Sequence, residues 1–105
     1  MDEKLLKIFD HYGLKNQLKK LSEEVYELQE AILLDEGGYD SLDHITEELA
    51  DVYVLLSQIE TKYEIDQEKL VDIQAYKINR TIGRIENEKS NIKNSWRMAK
   101  SDWRI

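Results

Sequence analysis

No proline interrupts the 105 residues of this chain, and its four glycines stand at Gly13, the Gly37-Gly38 pair and Gly83. Proline removes a backbone donor and clashes with the preceding turn, and glycine costs roughly 1 kcal/mol inside a helix, so a chain nearly free of both can run in long helices. The apolar residues carry the matching period. Leu14, Leu18, Leu21, Val25, Leu28 and Ile32 recur in alternating steps of four and three, as do Leu42, Ile45, Leu49, Val52, Leu56 and Ile59. Each stripe predicts a helix with an apolar seam, one over about 14–35 and one over about 42–62. Leu5, Ile8 and Phe9 give a shorter first helix over 2–12, with Gly13 as its stop. Asp66 is placed to cap a fourth helix, with Ile65 and Leu70 as a hydrophobic staple, and Ile73, Ile78, Ile82 and Ile85 carry that helix to about residue 88. The expected fold is all-α, an antiparallel helical bundle of about four helices over residues 1–88. Residues 89–105, containing Trp96 and Trp103, form a basic C-terminal tail.

The third helix is apolar on more than one side. Between Leu49 and Ile59, eight of eleven residues are apolar, and a helix of that kind needs covering on most of its surface. So short a chain has few other helices to do this. Self-association as a dimer or tetramer through helix 3 is therefore expected to complete the bundle.

Charge and composition narrow the function classes. Cysteine is absent, which excludes a disulfide framework and a thiolate metal site. No apolar run approaches a membrane span, Met1-Asp2-Glu3-Lys4 does not begin a signal peptide, and a cytoplasmic location is the expectation. The net charge of −7 argues against general nucleic-acid binding. It is unevenly distributed: residues 1–76 hold 7 Lys/Arg against 19 Asp/Glu, and residues 77–105 hold 8 against 3. An acidic hairpin followed by a basic helix could take a metal with one part and phosphates with the other.

Two acid pairs are the chemistry-bearing motif. Glu24 and Glu27 stand three residues apart on the second helix, Glu48 and Asp51 on the third, each followed at once by an apolar residue. Three residues make nearly one helical turn, so each pair occupies one face beside a seam. Folding about Gly37-Gly38 matches the heights, because the numbers of Glu24 and Asp51, like those of Glu27 and Glu48, sum to 75. Four converging carboxylates repel one another unless a cation lies among them, and hard oxygen ligands suit Mg²⁺ or Mn²⁺. The plainer alternative is a set of solvated helix faces. His44, one turn before Glu48, reads as a surface residue or ion-pair partner.

Glu24-x-x-Glu27 and Glu48-x-x-Asp51, about twenty residues apart and embedded in Leu-Ser-Glu-Glu-Val-Tyr-Glu-Leu-Gln-Glu-Ala-Ile and Glu-Glu-Leu-Ala-Asp-Val, resemble the MazG family of all-α nucleoside triphosphate pyrophosphohydrolases. The resemblance covers roughly residues 14–85. It implies a four-helix core, a dimer or tetramer, and Mg²⁺-dependent cleavage of a nucleoside triphosphate to the monophosphate and pyrophosphate, with Glu24, Glu27, Glu48 and Asp51 as metal ligands. It also implies phosphate contacts from a lysine and an Asn-Arg pair on the last core helix. Tyr76-Lys77-Ile78-Asn79-Arg80 supplies these, with the lysine two residues before the asparagine and no Tyr-Pro following.

Lys77, Arg80 and Arg84 follow at steps of three and four, one helical stripe suited to a triphosphate. Asn79 and Gln17 are amides able to touch phosphate or base. The expected activity is a Mg²⁺-dependent nucleotide pyrophosphohydrolase that trims canonical or damaged nucleotides. The alternatives are a phosphoribosyl-ATP pyrophosphohydrolase-like enzyme and a non-catalytic helical dimerisation or adapter domain.

Overall fold

The computed structural model describes residues 2–38 and 42–90. Four helices account for nearly all of them: α1 (Asp2–Tyr12), α2 (Leu14–Glu36), α3 (Leu42–Lys62) and α4 (Gln67–Ser90). There is no strand among the described residues. The protein is an all-α helical bundle. Helices α1, α2 and α3 form one compact unit that ends at Ile65, and α4 lies in a second that begins at Asp66. Residues 39–41 and the tail with Trp96 and Trp103 lie outside the described residues.

Local chemistry sets the helix ends. Gly13 has φ of +86°, a conformation that L side chains rarely adopt, and its N–H donates to the Phe9 carbonyl at 2.8 Å to close α1. Its own carbonyl accepts from Gln17 N at 3.0 Å, so α2 starts one residue later. At the other end of α2, the Gly37 N–H reaches the Leu33 and Leu34 carbonyls, and Gly38 takes φ of +93°. Helix α3 closes with paired bonds from Glu64 N to Thr61 O and from Ile65 N to Glu60 O, which turn the chain through a left-handed residue. That residue is Glu64, at φ of +49°. Asp66 then caps α4, its Oδ1 accepting from Lys69 N at 3.2 Å.

In the first unit α2 and α3 pack antiparallel across the glycine turn, and α1 packs against both. Leu5 and Phe9 are the buried residues of α1. Lys62 ties α1 to the end of α3, with its ammonium 5.5 Å from the Phe9 ring centre and 3.1 Å from Asp10 Oδ1.

The α2–α3 seam differs from the one read from the apolar stripes alone. Leu14, Leu18, Val25 and Ile32 on α2, and Leu42, Leu49 and Leu56 on α3, are exposed. The covered strip instead runs through Gln17, Leu21, Glu24, Leu28 and Ala31, facing Ile45, Glu48, Val52, Leu55, Gln58 and Ile59. Both strips have helical period and share Leu21, Leu28, Ile45, Val52 and Ile59; the covered strip is turned by roughly 60° around each helix. The helix pair turns its acids and amides inward. Its purest apolar face is left outside.

Candidate functional site

The inward rotation of α2 and α3 brings three acids to one point. Carboxylate oxygens of Glu24, Glu27 and Glu48, one from each, all lie within 4.8 Å of one another. Glu24 and Glu48 are 4% and 8% exposed, and Glu27 stands at the exposed edge. Asp51 is outside this set of meeting oxygens but close enough to Glu24 for their carboxyls to interact. Glu23 and Glu47, one residue before the inward acids, are exposed.

Electrostatics follow from the crowding. Loss of water and the adjacent Glu24 and Glu27 carboxylates push the Glu48 carboxyl above the ordinary range. Asp51 is pushed the same way by partial desolvation and by the Glu24 charge beside it. Glu24 moves downward, because the Lys20 ammonium hydrogen-bonds it at 2.9 Å from one turn away and outweighs its burial. His44 Nε2 stands 3.2 Å from Glu48 Oε1, also one turn away, in the ion-pair position expected of it.

One oxygen of each buried acid is left over. Glu24 Oε2 and Glu48 Oε2 are buried and reach no hydrogen-bond donor among the described residues. A buried carboxylate oxygen without a partner is costly, and two acids that each carry one, clustered with a third carboxylate, form a hard, anionic donor set. That set fits a divalent cation: charge, softness and convergence all match.

A cavity of about 600 Å³ opens in the first unit beside the acids, reaching from Glu24 and Asp51 to Tyr12, Val54, Gln17 and Gln58. Gln58 is 2% exposed, the most deeply buried large side chain of the unit. Its Oε1 accepts from Gln17 Nε2 at 2.7 Å, joining α2 to α3. The sequence offers Gln17 as a substrate contact but not Gln58, which lies in an apolar segment. The signal was available, since 17 and 58 also sum to 75, the constant that pairs the acids across the turn.

On α4, Lys77, Arg80 and Arg84 are half-buried, and Asn79 is exposed. The Arg80 guanidinium lies 5.6 Å from the Tyr76 ring centre, and its buried Nε has no partner among the described residues. Among the described residues no helix is long and apolar enough to cross a membrane.

A buried carboxylate cluster on an antiparallel helix pair, next to an open cavity, can hold a cation against an anionic substrate. The sequence matches the family model described as the MazG nucleotide pyrophosphohydrolase domain over residues 13–82, which spans α2, α3 and most of α4. No curated protein and no solved structure matches the chain. The chain belongs to the MazG nucleotide pyrophosphohydrolase family.

Proposed function

We propose that this protein hydrolyses a nucleoside or deoxynucleoside triphosphate to its monophosphate and pyrophosphate, as a housecleaning activity on the nucleotide pool. Mg²⁺ is the proposed ion, with Mn²⁺ as a substitute. The observation that carries the reading is the meeting of Glu24, Glu27 and Glu48 with two buried oxygens left without donors. The family match supports it.

In this reading Glu24, Glu27, Glu48 and Asp51 hold the metal. A phosphoanhydride resists attack because its oxygens repel a nucleophile; the bound ion would neutralise those oxygens and acidify a water. One of the glutamates orients that water and accepts its proton. The water oxygen bonds to one phosphorus of the α–β anhydride while the bridging oxygen leaves with the other phosphorus, so no oxidant or co-reactant is needed. Lys77, Asn79, Arg80 and Arg84 are the proposed phosphate contacts. Arg80 and Arg84 offer guanidinium forks and Lys77 a point charge, a set suited to phosphate oxygens.

The exposed faces of α2 and α3 support self-association through helix 3 as part of the same proposal. Leu18 and Val25 on one helix, and Leu49, Tyr53 and Leu56 on the other, present a large apolar surface to water in the single chain.

The deciding experiment measures pyrophosphate release from a panel of ribo- and deoxynucleoside triphosphates and phosphoribosyl-ATP, with and without Mg²⁺, for wild type and Glu48→Ala. The expected result is metal-dependent release that Glu48→Ala lowers by about a hundredfold or more, the scale of losing a group that stabilises transition-state charge. No turnover, or an alanine variant equal to wild type, would leave only a helical scaffold.

A further inference from the structure

The acids account for one end of the cavity and leave the other unexplained. Asp51 and Gln58 are seven residues apart on α3, and Gln17 and Glu24 are seven apart on α2, so the amide pair lies two turns, about 10 Å, along the helices from the carboxylates. A nucleotide whose phosphates rest at the acids must put its sugar and base somewhere at that scale. The cavity that begins at Glu24 and Asp51 runs to the amide pair, with Tyr12 and Val54 also in its wall.

Gln58 is buried and Gln17 half-buried, and covering amides is costly unless they are well bonded; two aliphatic side chains would join α2 to α3 more cheaply. The Gln17–Gln58 bond uses one N–H of Gln17 Nε2 and one lone pair of Gln58 Oε1. The Gln17 Oε1 acceptor and the Gln58 Nε2 donor take no part in that bond. A paired donor and acceptor is the complement of a nucleobase edge. Ile8, Tyr12, Val54 and Leu55 offer apolar and aromatic surface to the faces of a base, among polar neighbours that include Lys20 and Glu23. We propose that this cavity seats the nucleobase of the substrate, and that the Gln17–Gln58 pair reads its hydrogen-bonding edge, which makes Gln58 a specificity-determining residue.

The inference rests on the pyrophosphohydrolase reading, and two measurements keep the fates of the two apart. In the first, nucleosides without phosphate are titrated into ¹⁵N-labelled wild-type protein while the side-chain amide signals of Gln17 and Gln58 are followed. Both signals are expected to shift, more for some bases than others. In the second, kcat/KM is measured for the nucleotide panel and for inorganic tripolyphosphate, which has the anhydride and no base, in wild type, Gln17→Leu and Gln58→Leu. The ratio of nucleotide to tripolyphosphate hydrolysis is expected to fall roughly tenfold or more in each variant, because a site built to hydrogen-bond its substrate loses discrimination when those bonds go. Amide signals that no nucleoside moves, together with an unchanged ratio in both variants, would overturn the inference and leave the hydrolase reading intact. A wild type that releases pyrophosphate from nothing would sink the hydrolase reading, and the nucleoside titration, which needs no variant and no turnover, would then decide the cavity by itself.

Discussion

Gln17 and Gln58, forty-one residues apart, share a 2.7 Å hydrogen bond that fixes α2 against α3. Their numbers obey the same constant sum as Glu24 with Asp51 and Glu27 with Glu48, so one antiparallel register sets the amide pair and the acid cluster together. Slipping either helix by one residue would turn the amides and the acids away at once.

A double-mutant cycle measures that coupling. Gln17→Leu strands the buried Gln58 amide and Gln58→Leu the half-buried Gln17 amide, and each is expected to cost about 1–3 kcal/mol in urea unfolding. The double Leu variant is expected to lose less than the two singles combined, with a coupling above roughly 0.5 kcal/mol. Strict additivity would mean the bond contributes nothing to register.

Divalent metal should stabilise the folded state by binding it alone. Melting with Mg²⁺ or Mn²⁺ is expected to raise the Tm of wild type, by the equivalent of about 2.7 kcal/mol once the ion reaches roughly a hundred times its dissociation constant. Glu24→Gln and Glu48→Gln remove carboxylate charges from the point where the oxygens meet, and should abolish most of the rise. A wild-type melt indifferent to millimolar metal would count against the site.

The acid cluster also gives metal-free stability a definite pH dependence. Glu48 and Asp51 have folded-state pKa values above their unfolded ones, so the folded state binds more protons. Their contribution is fully present below the unfolded carboxyl range, near pH 4, and is lost as pH rises through the raised values. Glu24 works in the opposite sense: its stabilising contribution is present above that range and disappears as pH falls through its lowered value. Glu48→Gln deletes the first kind of contribution, so without metal it should melt above wild type at pH 8, with the gap closing toward pH 4. A gap that stays constant with pH would show that Glu48 does not titrate abnormally.

Self-association is open to sedimentation. Wild type is expected to run above monomer mass, and Leu56→Glu, which puts a charge into the exposed stripe of α3, should shift it toward the monomer without loss of helix by circular dichroism. Wild type that stays monomeric at high concentration would leave the face uncovered.

The element boundaries were legible because they rest on local chemistry. Gly13, Gly37-Gly38 and Asp66 act within a few residues of themselves, and the helices end where these residues stand. The register was legible too, since a two-helix hairpin has a single centre and Gly37-Gly38 marks it. The rotation of each helix about its axis was legible only in part. The acid pairs were expected beside the seam, and Leu21 and Leu28 belong to both the apolar stripe and the covered strip, but single-helix amphipathicity favours the face through Leu18 and Val25. Packing α1, α2 and α3 together sets Glu24, Glu48 and Gln58 inside the seam rather than beside it, because burial is decided by which side chains meet across helices. Gln58 shows the difference most plainly: in its own segment it is one polar residue among apolar neighbours, and it becomes half of a buried pair only when α2 lies alongside.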